Sequence, residues 1–382
     1  MKCEKSMKII YSICGLYNSG GMERIVTQKA NYLADVFGYN VTIVTTDQKD
    51  RPVFFSLSTK VKHFDLGINY GDGEHDDMNV IKKVLGKKMK TRQHFRKLNA
   101  FLCEEKADIV ITTINNDLNL LLKIQDGSKK ICEFHFSRQT KILEAPNALL
   151  RNIQRIRMVL WKRYFAKYDK FIVLTEEDKM AWGNLDNMIV IPNFVDEIPP
   201  YFSIEREKRV ICVGRAVYQK GFDLMLDIWK FVMEKDSEWQ LYIFGNGDKT
   251  ALEDKKNKLG LSNSVHLMPA TKTIDQEYDK SSIYALSSRY EGLPMVLLEA
   301  MSHGLPIVSF ACPCGPKDVI KESFGSIVEN GDTKSFSNVL LEWMHNPEKL
   351  ELGSKNAYVE IQKYTKTAIM KKWNLLFKKI MN

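Results

Sequence analysis

Short apolar runs alternate with longer stretches of helical periodicity through both halves of this chain. That alternation is the signature of parallel sheets built from β-α-β units. In the first half the strand-like runs are 8–14, 41–45, 108–112, 130–134, 170–174 and 188–191. Helical patterns fall near 21–37, 79–105, 149–168 and 176–183. The second half repeats the scheme, with strand-like runs at 208–213, 239–244, 264–267, 282–286, 306–309 and 325–328. A mostly helical tail follows from about 333 to 381. Between the halves, Pro192-Asn193-Phe194-Val195-Asp196 and then Pro199-Pro200 form a turn-rich linker. The pattern predicts two Rossmann-like, doubly wound α/β domains, 1–195 and 196–365, whose sheets present their carboxyl ends to a common cleft.

Composition supports that division. A chain of 382 residues is too long for one ordinary core. Its 44% hydrophobic and 10% aromatic content describes a globular protein, and no apolar run approaches the roughly 20 residues of a membrane span. The apolar stretch after Met7 is short and lacks a small-residue cleavage pattern, so no leader peptide is expected. Seven scattered cysteines suit a reducing compartment rather than a disulfide framework. Cys312 and Cys314 flank Pro313 with no second Cys/His pair nearby, which favours a tight turn over zinc. Residues 67–77 read as a solvated acidic loop; Asp76 and Asp77 alone make no metal site.

Charge is lopsided. The net +9 belongs entirely to residues 1–195, and the remainder nets zero. Residues 82–97 hold eight Lys or Arg without an acid; residues 151–167 hold six, interleaved with Ile153, Ile156, Val159, Leu160 and Trp161. The second segment has the composition of a surface-binding amphipathic helix. The plainer alternative is a helix whose apolar stripe packs on its own domain. No recognition helix, zinc module or aromatic platform accompanies the charge, so no nucleic-acid partner is expected.

Four segments carry the chemistry. Glu291 and Glu299 stand eight positions apart, and Pro294 between them suits the first turn of a helix. On one continuous helix, eight steps bring the second acid within about 80° of the first and roughly 12 Å along the axis. Tyr17-Asn18-Ser19-Gly20-Gly21-Met22-Glu23-Arg24 follows the first strand and opens a helix, where unpaired N–H groups can meet an anion. Gly214-Arg215 and Lys220-Gly221 bracket the loop after the first strand of the second half. Two cations at such a place can hold a diphosphate. Gly245-Asn246-Gly247-Asp248 makes a further glycine turn at a strand end.

Gly-Gly-Met-Glu-Arg near the start, Gly-Arg-x4-Lys-Gly after the linker and Glu-Gly-x-Pro-x4-Glu-Ala late in the chain together resemble a retaining glycosyltransferase of family four, of the GT-B fold and the bacterial surface-polysaccharide type. The resemblance covers essentially the whole chain. It implies that Gly20 and Gly21 meet the donor phosphate, and that Arg215 and Lys220 stabilise the departing nucleotide. Glu291 would bind sugar hydroxyls, with Gly292, Leu293 and Pro294 shaping the loop around them, and Glu299 would take the ribose. His135, in Glu-Phe-His-Phe after a first-domain strand, matches a histidine beside the reacting sugar. Gly245, Gly247 and Met268 complete the donor-binding set. Pro269 and Ala270 depart from the family's usual glycine there, which leaves open whether the nucleotide carries uridine or guanosine. The C-terminal helix, 366–382, resembles a segment that crosses back to the first domain.

The expected chemistry is hexosyl or N-acetylhexosaminyl transfer from a nucleotide-diphosphate sugar, a uridine diphosphate (UDP) sugar being the first expectation, without a metal or other cofactor. The acceptor would be a lipid-linked or other glycan, handled by the basic first domain at the cytoplasmic face of an anionic membrane. A nucleotide-sugar epimerase or a non-catalytic glycan-binding scaffold would share the architecture. A phosphorylase would need a longer chain and a pyridoxal-anchoring lysine.

Overall fold

The computed structural model describes residues 6–72, 80–196, 198–199 and 206–382. Asp76 and Asp77 lie outside the described residues. Strands β1 (Lys8–Ile13), β2 (Asn40–Thr45), β3 (Val61–Asp65), β4 (Ile109–Thr112), β5 (Lys129–Glu133), β6 (Lys170–Val173) and β7 (Met188–Val190) form one sheet. Its order is β3-β2-β1-β4-β5-β6-β7, and every pairing is parallel. Strands β8 (Arg209–Val213), β9 (Gln240–Phe244), β10 (Val265–Met268), β11 (Ile283–Leu286), β12 (Ile307–Phe310) and β13 (Gly325–Val328) form the second. It too is parallel, in the order β10-β9-β8-β11-β12-β13.

The first sheet carries helices α1 (Gly21–Asp35), α2 (Val80–Glu105), α3 (Arg138–Leu143), α4 (Ala148–Phe165) and α5 (Glu176–Trp182). The second carries α6 (Phe222–Met233), α7 (Thr250–Lys258), α8 (Ile274–Lys280), α9 (Met295–Ser302), α10 (Pro316–Val319), α11 (Thr333–Met344) and α12 (Pro347–Glu360), and the chain closes with α13 (Lys366–Met381). Local signals explain individual elements. Phe222, Met225, Leu226, Trp229 and Val232 put one buried stripe on α6. At α5, Thr175 Oγ1 accepts from the Asp178 N–H, and three acids occupy the positively polarised first turn.

Helices cover both faces of each sheet, so the central strands are buried throughout and read as plain apolar runs. Strand β3 is the exception. Its Lys62, His63 and Phe64 are exposed at the sheet edge, and the segment carries no apolar run by which to read it as a strand. Strand order reverses between β1 and β4 and again between β8 and β11, and ligands of doubly wound sheets collect at such points.

Helix α13 follows the second domain but packs in the core of the first. Ile369, Met370, Trp373, Leu376 and Phe377 join Ile9, Tyr11, Ile25 and Leu33 there. Helix α4 does not tuck its apolar stripe away: Met158 and Phe165 are buried, whereas Ile153, Ile156, Val159 and Leu160 are 47% to 63% exposed. On α2, part of the basic charge has a local use, since Lys90 and Lys97 donate to carbonyls of residues 66–72. Among the described residues no helix is long and apolar enough to cross a membrane.

Trp373 is fully buried. Truncation to alanine in such a site costs about 3–5 kcal/mol. Chemical denaturation of Trp373→Ala is therefore expected to show early loss of the first domain; a shift below about 1 kcal/mol would mean that α13 is only loosely docked.

Candidate active site

Glu291 lies in the loop after β11, not on the helix. Pro294 is extended (ψ 103°) and caps α9, which starts only at Met295. The two acids therefore do not share one helical face, and the angular estimate from continuous helix geometry does not apply. Glu291 is held at every polar position. Its carboxylate accepts from Lys220 Nζ at 2.7 Å, Ser288 Oγ at 2.6 Å and Gln219 Nε2 at 3.3 Å. Its N–H donates to the Pro313 carbonyl at 2.7 Å. Its own carbonyl accepts from Ser137 Oγ at 3.2 Å and Thr140 Oγ1 at 2.7 Å, both on the first domain.

The turn beneath it is tight. Gly315 has φ +100°, and a methyl group there would run into Pro294 Cδ and the Gly292 carbonyl. Cys312 and Cys314 are buried free thiols in the same turn, and burial pushes Cys314 up to about 12. A methyl on Gly292 would contact the His135 carbonyl at 3.5 Å, so the Glu291 loop and the His135 loop meet across the cleft. Leu293, only 8% exposed, anchors the loop in the second-domain core.

Lys220 reaches Glu291 from the loop after β8. That loop is stapled to the segment after β11: Arg289 forms a two-pronged pair with Asp223 (2.8 and 2.6 Å) and donates to the Tyr218 carbonyl at 2.7 Å. Arg215 stands exposed on the same loop and has no ion-pair partner among the described residues. Gly245 and Gly247 have a structural cause, since a side chain at Gly245 would overlap the Gly214 carbonyl and one at Gly247 would press on Ala216. Met268, at the end of β10, accepts from the Gly245 N–H at 3.2 Å and from Lys249 Nζ.

Glu299 sits on α9 and is paired across the cleft with Arg24 of α1 at 2.9 Å. The Tyr278 hydroxyl lies 3.5 Å from its other oxygen. Gly20 precedes α1 as its cap residue without a side-chain hydrogen bond, and a methyl on Gly21 would meet nothing within 4 Å. Gly21 therefore leaves open space at the helix N-terminus, whereas a methyl on Gly20 would overlap the Glu23 carboxylate. The structure thus brings Lys220 to Glu291, and the Gly20-Gly21 helix to Glu299 through Arg24. Arg215 and Met268 lie on the same rim without touching the two acids.

His135 follows β5 beside a buried ion pair of Lys29 and Glu133, both essentially unexposed, with its Nε2 3.3 Å from Glu133 Oε1. Lys29 also lies over the Trp373 ring at 4.2 Å. Burial holds the His135 imidazole down at about 4, opposed by Glu133 and assisted by Lys29, so it is neutral near pH 7. Sequence reasoning missed Arg24, Lys29, Ser137, Thr140, Gln219 and Ser288. Arg24 was in view within the glycine motif and Ser288 lies three residues from Glu291; Lys29, Ser137, Thr140 and Gln219 act through partners remote in sequence. Among the described residues no three metal-ligating side chains converge.

Residues 195–360 match the family described as Glycosyl transferases group 1. The amylovoran biosynthesis glycosyltransferase AmsD of Erwinia amylovora is 28% identical over 387 residues, covering 96% of this chain and 98% of that protein. The solved lipopolysaccharide outer core galactosyltransferase WaaB, in its apo form, superposes with a TM-score of 0.75 at 20% identity, over 98% of this chain and 100% of that one. The pneumococcal O-GlcNAc transferase GtfA, solved with UDP and GlcNAc, gives 0.72 at 13% identity, over 99% and 100%. These solved relatives carry the same two-domain fold.

An unfolded imidazole accepts a proton near 6.5. Native His135 does so only near 4. Between those values the unfolded state binds more protons, so stability falls as pH drops from about 6.5 to about 4, by on the order of 3 kcal/mol for such a group. Wild type is expected to lose stability relative to His135→Asn over that window. An imidazole titrating near 6.5 by NMR would contradict this.

Proposed function

Starting from a glycosyltransferase whose second domain matches group 1, we propose that it transfers a hexose or N-acetylhexosamine from a UDP-sugar to a membrane-associated glycan, with retention of configuration and without a metal. The observation that carries this is the Lys220–Glu291 pair at the switch point of the second sheet, with open space at Gly21 on the facing helix of the first. The solved relative holding UDP and GlcNAc and the relative named for amylovoran biosynthesis support the donor and acceptor classes.

In this scheme the donor diphosphate takes Lys220 and Arg215, and Lys220 exchanges part of its bond to Glu291 for a phosphate oxygen. Glu291, already oriented by Ser288, turns its free capacity to the sugar hydroxyls. Fixed positive charge stabilises the diphosphate as the anomeric bond breaks. The acceptor hydroxyl enters on the face the diphosphate leaves and gives it the proton, so no paired nucleophile and base is required. Neutral His135 lines the sugar side, Glu299 takes the ribose once Arg24 yields, and Gly245, Gly247 and Met268 border the base. Water is kept out by the meeting of the His135 and Glu291 loops.

The basic first domain fits an acceptor on an anionic leaflet, and the exposed apolar residues of α4 beside Arg155, Lys162 and Arg163 support a peripheral position on the cytoplasmic face.

With a panel of nucleotide sugars and membrane lipid extract, Glu291→Gln and Lys220→Gln are each expected to lower turnover by about 100-fold or more. Thermal melts check that the fold is kept; near-normal rates in both would sink the proposal. Replacing Lys162, Arg163 and Lys167 together with Gln should release the protein from anionic vesicles, and unchanged vesicle binding would refute the membrane part.

A further inference from the structure

A second cavity, of about 430 Å³, opens in the first domain between α3, α4 and the loops after β4 and β5. It adjoins the Glu291 loop directly. Ser137 and Thr140, which bond the Glu291 carbonyl, precede cavity residue Lys141, and the backbone of cavity residue Phe136 lies against Gly292.

The walls combine two kinds of group. Phe136 and Trp161 offer aromatic surface, and each carries a cation: Lys141 Nζ lies 3.9 Å from the Phe136 ring centre, and Arg157 lies 4.6 Å from that of Trp161. Lys141 is shared with Glu144 at 3.2 Å, whereas Arg157 has no ion-pair partner among the described residues. Two cations thus face one carboxylate. Gln154 also lines the cavity, and its Oε1 is buried with no hydrogen-bond partner among the described residues. Buried acceptors are ordinarily satisfied, so this oxygen is placed for an incoming donor. Ile114, on the same wall, is held at φ +67°, a conformation costly for a β-branched residue and of the kind concentrated at binding sites.

We propose that this cavity is the acceptor subsite for an anionic sugar unit, a pyranose bearing a phosphate or a carboxylate, which rests on glycosyl transfer being the activity. The aromatic faces take the apolar face of the ring, Gln154 accepts from a ring hydroxyl, and Arg157 with Lys141 takes the anion. A neutral sugar leaves Arg157 without a counter-charge, and a bare anion leaves the aromatic walls and Gln154 unused.

The test uses the whole chain, with ligand-observed NMR and the Trp161 indole resonance as readouts. Probes are glucose 1-phosphate, methyl glucuronide, methyl glucoside and inorganic phosphate; the first two separate a phosphate from a carboxylate. At least one anionic sugar is expected to bind 10-fold or more tightly than both methyl glucoside and phosphate, and to shift Trp161. Arg157→Gln or Lys141→Gln should weaken it 10-fold or more, with UDP affinity in the same samples unchanged. Equal binding of methyl glucoside or of phosphate, or binding that survives both substitutions, would overturn the assignment. Failure of wild type to bind UDP, with the sugar response intact, would strike the donor assignment and leave the cavity standing.

Discussion

The ion pair of Lys220 and Glu291 is the constraint around which the cleft is organised. Both groups are largely withdrawn from water, with side chains 15% and 7% exposed. Desolvating two charges is costly, and replacing such a pair by apolar residues often leaves a protein no less stable. Its presence at the top of a parallel sheet therefore points to use rather than to stability. Ser288, Gln219 and the Arg289–Asp223 staple fix the two loops that carry it. In the proposed reaction, such a cation and carboxylate would present one end to a diphosphate and the other to hydroxyls, already oriented before charge develops.

The two domains meet around that pair. The Glu291 carbonyl accepts from Ser137 and Thr140, Asp318 of α10 accepts the Glu176 and Glu177 N–H groups at the start of α5, and Arg24 pairs with Glu299. Helix α13 adds a covalent return path into the first core. All but the last are polar contacts of modest worth, part-exposed in the case of Arg24–Glu299, so they can be exchanged for ligand contacts without unfolding either domain. The cavity beside α3 shares this seam, so on the proposed reading a ligand held there would bear on the loop that positions Glu291.

The two-sheet plan was legible because strands covered on both faces become unbroken apolar runs, as in Ile9-Ile10-Tyr11 and Val210-Ile211-Cys212. Strand β3 was not, because its edge position leaves Lys62-His63-Phe64 facing solvent. Glu291 stood out in the sequence as a candidate just before a helix, but the continuous-helix geometry relating it to Glu299 was wrong, because the loop from Glu291 to Pro294 is not helical and α9 begins only at Met295. Gly245 and Gly247 were legible as a turn, though what forbids a side chain there is the backbone of residues 214–216, thirty positions away. Ser137, Thr140 and Lys29 left no local signal. Their partners lie about 100 residues or more along the chain, and spacing within a segment says nothing of them.

The most direct test of the central claim is a crystal structure of the chain with a bound UDP-sugar. The account predicts Lys220 Nζ within hydrogen-bonding distance of a diphosphate oxygen, Glu291 facing the sugar hydroxyls, and Glu299 on the ribose with Arg24 displaced. A nucleotide bound elsewhere, with the Lys220–Glu291 and Arg24–Glu299 pairs intact and the cleft empty, would contradict it.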